Sequence, residues 1–93
     1  MIKSFKDKTT EAVFQGKSPK GFQAQMLSVA RRKLLIVHAA VDLNDLRVPP
    51  GNHLEALKGD RKGQHSIRIN KQFRVCFKWT PSGAEDVEVA DYH

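Results

Sequence analysis

The chain has 93 residues and 10.5 kDa, with 40% hydrophobic residues, 16 Lys and Arg against 10 Asp and Glu, and a net charge of +6. This is one domain over residues 1–93 with one small core, since a second would need roughly 50 more residues, and the basic excess calls for an anionic partner such as nucleic acid, an acidic protein or an anionic membrane. The longest apolar runs, 34–37 and 39–41, fall far short of the ~20 residues of a membrane span, the N-terminus has no apolar signal core, and the single Cys76 allows neither an internal disulfide nor a thiolate zinc cluster, so a cytoplasmic protein without a membrane partner fits best.

Residues 2–5 form a short strand, with Ile2 and Ser4 on one face and Lys3 and Phe5 on the other. Asp7 is a good N-cap for a helix over 8–15, and Gly16 stands where a helix stops. After a basic loop at 17–21, a longer helix runs from about 22 to 40. Leu27, Ala30, Leu34, Val37 and Val41 recur at spacings of three and four and make its buried stripe. The Arg31-Arg32-Lys33 run reads as a solvated surface whose long stems cover the core edge. Leu35 and Ile36 fall off the stripe and either pack on the first helix or mark a partner surface. Residues 42–47 make a short extra turn with Leu43 and Leu46 inward, and Val48-Pro49-Pro50-Gly51 is a loop that neither helix nor central strand tolerates.

The apolar period then changes from 3.6 to 2. A strand over 54–57 leads through a turn at 58–63 to a strand over 65–69 with Ile67 and Ile69 inward. Phe73, Val75, Phe77 and Trp79 alternate with Arg74, Cys76 and Lys78, and beyond Pro81-Ser82-Gly83 a last strand turns Val87 and Val89 inward. Strand, two helices and about four antiparallel strands make an α+β fold.

Register decides where the arginines go. A two-residue loop at Asn70-Lys71 would set Ile67 opposite Arg74 and mix the faces. A three-residue loop, Asn70-Lys71-Gln72, pairs Ile69 with Phe73, Ile67 with Val75 and Arg68 with Arg74, and keeps both faces consistent. Two guanidinium groups side by side cost stability unless an anion sits between them. Lys78 extends that face and Lys58 is near it, so the face away from the helices is a candidate phosphate-binding surface. Of the histidines, His38 and His65 read as structural or surface residues, His53 sits in the loop before the second strand, and His93 ends the chain. No His-x-x-x-His spacing suggests a metal, and no cofactor motif is present. Cys76 shares a face with Arg74 but reads as structural.

The segment Leu54-Glu55-Ala56-Leu57-Lys58-Gly59-Asp60-Arg61, the run from His65 through Arg68 and Arg74 to Phe77, and the ending Asp91-Tyr92-His93 together resemble the HigB-type plasmid maintenance killer toxins of the RelE superfamily. The opening Met1-Ile2-Lys3-Ser4-Phe5 and Asp7-Lys8 match as well. The resemblance implies a small twisted, mainly antiparallel sheet with two N-terminal helices. It implies a ribosome-dependent messenger RNA endonuclease, acting in the ribosomal A site as the toxin half of a toxin–antitoxin pair. Its partner would be a HigA-type helix-turn-helix antitoxin that neutralises it, represses their operon and so provides its only link to operator DNA. By position, Lys58, Arg74, Asp91, Tyr92 and His93 match residues implicated in the family's active site, and Arg68, Lys78 and Arg61 join them as candidate RNA-binding cations. Some members place a catalytic His where this chain has Glu55; His53 lies two residues earlier, and a two-residue shift along a strand would keep it on the same face.

The chemistry is intelligible on its own terms. RNA carries its nucleophile, the ribose 2′-OH. Cleavage needs a base for that proton, cations for the charge building on phosphorus and an acid for the departing 5′-oxygen. Histidine, with a reference pKa of ~6.5, serves as either acid or base near neutrality, so His93 and His53 are both candidates. Arg74, Arg68 and Lys58 supply positive charge, Tyr92 orients the 2′-OH or stacks on a base, and Asp91 orients His93 or Arg74. The competing readings are a non-catalytic basic nucleic-acid-binding module and a protein-interaction domain.

Overall fold

The computed structural model describes residues 1–91; Tyr92 and His93 lie outside the described residues. Helix α1 (Lys8–Phe14) starts where expected, with Asp7 Oδ1 accepting a hydrogen bond from Thr10 N at 2.6 Å. Helix α2 (Leu27–Ala39) begins later than the periodicity suggests. Gly21 at φ 87° and a 3-10 turn at Ala24–Met26 precede it. Ala30, Leu34 and Val37 are fully buried, as the stripe requires. Val41 is not: it is 90% exposed. The helix ends at Ala39 and Ala40 is extended, so the turn that would return Val41 to the stripe is missing.

The Arg31-Arg32-Lys33 run departs from the solvated reading at two of its three positions. Arg31 Nε donates to the Val13 carbonyl at 3.0 Å and its Nη2 to the Lys17 carbonyl at 3.1 Å, closing the C-terminal end of α1. Lys33 is buried, with Nζ 2.6 Å from Asn52 Oδ1. Only Arg32 is exposed. Ile36 packs against the core, while Leu35 stays about half exposed, at 49%. The extra turn at Leu43–Arg47 is a 3-10 helix with an Asp42–Asp45 capping box and Leu46 fully buried.

Strands β1 (Glu55–Ala56), β2 (His65–Arg68), β3 (Phe73–Thr80) and β4 (Gly83–Asp91) form one antiparallel sheet in the order β1-β2-β3-β4. The N-terminal segment runs parallel to β4 and touches it through isolated bridges Ile2↔Ala84 and Phe5↔Val87. Bridges three residues apart bring both Ile2 and Phe5 against the core, where strict alternation would have separated them. Gly83, at φ 134°, makes this approach possible, because a Cβ there would collide with the Met1 carbonyl.

The hairpin between β2 and β3 has the register that keeps both faces consistent, Ile67↔Val75 and Arg68↔Arg74. Its loop is held by Asn70 Oδ1, which accepts from both Gln72 N and Phe73 N at 2.8 Å. Ile67, Val75, Phe77 and Val87 are fully buried under the two helices, together with Leu34 and Val37. No helix among the described residues is long and apolar enough to cross a membrane.

Candidate active site

The face of the sheet away from the helices is built in cross-strand rows. One row reads Arg68, Arg74, Ala90; the next reads Glu55, Ser66, Cys76, Glu88. Directly paired residues point to the same side of a sheet. A small second apolar cluster of Leu57, Cys76 and Ala90 lies here, so the 57–64 segment covers part of a face that alternation alone leaves open to water. Burial pushes the Cys76 thiol up from its ordinary range, which keeps it protonated and structural.

Arg74 is half-buried in this frame. Its Nε donates to Ser66 Oγ at 2.6 Å and its Nη2 to the His53 carbonyl at 2.6 Å. The other N–H groups of the guanidinium make no bond among the described residues, leaving donors for a ligand oxygen. Arg68 Nε donates to the Asn70 carbonyl at 3.2 Å. The two paired arginines therefore each take a carbonyl oxygen.

The structure separates the remaining cations. Lys58 is exposed at the start of the turn after β1, and its side chain makes no hydrogen bond or ion pair among the described residues. Arg61 is committed to Glu88 Oε2 at 3.2 Å and to Gln64 Oε1 at 3.2 Å. Lys6 reaches the same Glu88 oxygen at 3.4 Å. Lys78 is exposed, pairs with Glu85 across the strands, and stands about 13 Å along β3 from Arg74 at ~3.3 Å per residue. It lies on the arginine face without adjoining Arg74.

His53 is not on a strand. It follows a 3-10 turn at Pro50–Asn52 and adopts the left-handed conformation, φ 47° and ψ 55°. The face argument from strand alternation therefore does not apply to it, and its established contact with Arg74 is through the carbonyl. Asp91 pairs with Phe73, which packs on the core side. Asp91 Oδ2 accepts from Gln72 Nε2 at 2.9 Å. His38 Nδ1 accepts from Ile2 N at 3.1 Å, and His65 lies across from Phe77 on the core side; both are remote from the arginine row. A cleft of about 270 Å³ lined by Phe22, Met26, Phe73 and Val89 opens on the helix side and contains none of the expected site residues.

Ser66 was missed in the sequence. Its signal was present, since Ser66 and Arg68 alternate around Ile67 and must share the arginine face. Glu55 lies in the same row, opposite Ser66. Among the described residues no three His, Cys, Asp or Glu side chains converge as metal ligands would.

The model of the RelE-like toxin of type II toxin–antitoxin system HigB matches residues 3–93. The chain belongs to the HigB-like toxin family. Toxin HigB-1 of Vibrio cholerae serotype O1 is 42% identical over 80 residues, 85% of this chain and 84% of that one. Endoribonuclease HigB of Proteus vulgaris is 31% identical over 93 residues, the whole of both chains. Among solved structures, the YoeB–YefM complex from Staphylococcus aureus superposes on 100% of this chain and 98% of its own with a TM-score of 0.61 at 15% identity, a likeness of fold. As a HigB-like toxin of a type II system, this chain has an antitoxin as its partner. The segment 57–59, Arg74 and β4 all border the arginine face.

Proposed function

We propose that this HigB-like toxin is a metal-independent endoribonuclease that cuts messenger RNA in the ribosomal A site and is held inactive by a HigA-type helix-turn-helix antitoxin. Arg74 carries the reading. It is half-buried, fixed at two points by Ser66 and the His53 carbonyl, and has guanidinium donors to spare. A structural arginine would spend those donors internally, whereas a phosphate needs them held ready in a fixed plane. Lys58, exposed and without a partner among the described residues, adds a second charge at the rim. The Proteus vulgaris relative, named an endoribonuclease, supports the activity.

In the reaction, a base removes the 2′-OH proton and the 2′-oxygen attacks the adjacent phosphorus. Arg74 and Lys58 bind the non-bridging oxygens as charge accumulates, with Arg68 holding a neighbouring phosphate. The bond to the 5′-oxygen breaks and that oxygen takes a proton from the acid. The products are a 2′,3′-cyclic phosphate and a 5′-hydroxyl. His93 is the preferred acid–base group, with Tyr92 orienting the ribose and Asp91 steering the terminal residues; His53 is the alternative proton carrier. Near-neutral imidazole suits either direction of transfer.

The test is a translating extract supplied with purified toxin, with cut sites mapped by primer extension and the ends identified chemically. Cyclic phosphate ends, and no cutting of the same RNA without ribosomes, are expected. EDTA dissociates ribosomes, so end chemistry is the deciding readout, and 5′-phosphate products would exclude attack by the 2′-OH. RNA binding without any cutting would favour the non-catalytic module.

A further inference from the structure

Arg74 is anchored to a backbone carbonyl in a loop, and a loop carbonyl is a poor anchor unless something holds the loop. The residue before His53 does so. Asn52 is fully buried, and its side chain is bonded on both sides. Nδ2 donates to the Leu46 carbonyl at 3.1 Å and to the Val48 carbonyl at 3.2 Å, while Oδ1 accepts from Lys33 Nζ at 2.6 Å. The main chain continues the pattern, with Asn52 N bonded to the Pro49 carbonyl and His53 N to the Pro50 carbonyl. His53 is then left at φ 47°, a conformation disfavoured for a residue with a Cβ, which persists only where its surroundings over-determine it.

Lys33 is the anomaly that needs a reason. It is 7% exposed on the inner side of α2 and bonds to a neutral amide, with no carboxylate paired to it among the described residues. A methionine of similar length would fill the space without the desolvation cost of an ammonium. What the ammonium adds is direction: it takes the amide oxygen, which fixes which end of Asn52 faces the Leu46 and Val48 carbonyls.

We infer that Lys33 and Asn52 are positioning residues for Arg74: the buried Lys33–Asn52 hydrogen bond locks the loop ahead of His53, so that the His53 carbonyl meets Arg74 Nη2 and, with Ser66 Oγ, fixes the guanidinium plane toward the scissile phosphate. This rests on the endoribonuclease reading given above. With the His53 contact released, the guanidinium still hinges on Nε at Ser66 but can swing, and the loss falls on the transition state more than on RNA binding.

The experiment compares Asn52→Ala, Lys33→Met, Arg74→Ala and the double variant Asn52→Ala with Arg74→Ala, using cleavage in ribosome-containing extract and thermal melts. Asn52→Ala and Lys33→Met are expected to lower the cleavage rate at saturation by about 10- to 100-fold, the range for a misplaced catalytic contact, with little change in the half-saturating concentration. In the Arg74→Ala background, Asn52→Ala should cost nothing more. A merely structural role would instead multiply the two losses, as independent sites do. Lys33→Met keeps the aliphatic stem, so it carries the test at a temperature where Asn52→Ala is unfolded. An inactive Arg74→Ala beside fully active Asn52→Ala and Lys33→Met overturns this inference alone. A fully active Arg74→Ala overturns both it and the role given to Arg74 in the reaction.

Discussion

The two faces of the hairpin formed by β2 and β3 are made by the same residues in alternation and obey different rules. On the helix side, Ile67 and Val75 are paired and fully buried, and apolar burial explains both. On the other side, Arg68 and Arg74 are paired one step along, and burial explains neither. Each guanidinium is tied to a carbonyl oxygen, Arg68 to Asn70 two residues on in its own hairpin loop and Arg74 to His53, 21 positions away in sequence. The apolar face is insensitive to which apolar residue fills it within limits of volume. The arginine face depends on directed bonds, which tolerate no substitute. On the function proposed above, the hairpin separates stability from chemistry across the thickness of one sheet.

This separation predicts opposite responses to mutation. The largest expected effect is on activity: removing Tyr92 and His93, or replacing His93 by Gln, should reduce cleavage by about 10²- to 10⁴-fold, the usual contribution of one proton-transferring side chain. The same truncation should cost no more than ~1–2 kcal/mol of stability. Induced expression in growing cells beside melts of the purified protein measures both, and a truncated chain that still arrests growth would move the acid–base role to His53.

The mirror-image variant lies on the apolar face. Ile67→Ala should cost about 2–5 kcal/mol in denaturant unfolding, as buried Ile deletions do, while the folded fraction keeps its cleavage rate. Equal losses of rate and stability in that variant would mean that the two faces are coupled. A more modest difference concerns salt. Arg74→Ala should reduce the magnitude of the salt slope for RNA binding by ~0.7, one phosphate contact on a single strand; an unchanged slope means that Arg74 touches no phosphate.

The smallest effects belong to groups on the arginine face that are merely covered. Cys76 is fully buried with its thiol pushed up, so a disulfide reagent should modify it only as fast as the protein unfolds, at rates that rise with denaturant. The ion pair between exposed Lys6 and Glu88 should contribute at most ~1 kcal/mol, measured as the change in unfolding free energy of Lys6→Ala.

Local chemistry was legible in the residues themselves. The Asp7 cap, the Asp42 turn, the stripe of Ala30, Leu34 and Val37, and the pairing of Arg68 with Arg74 all follow from contacts between near neighbours or from the two-residue period of a strand, which leaves one register with consistent faces. The ending Asp91-Tyr92-His93 and the Leu57-Lys58-Gly59-Asp60-Arg61 core pointed to the family. What alternation could not supply was the partner of each polar group. The burial of Lys33 depends on Asn52, 19 residues on; the engagement of Arg61 depends on Glu88, 27 residues on; and the side of the sheet taken by Asp91 depends on its pairing with Phe73. A charged residue looks the same in sequence whether it is solvated, paired or buried. Its state is set by which distant segment is brought against it, and only the packing of the 48–53 loop on α2 and of the 57–64 segment on the sheet decided that.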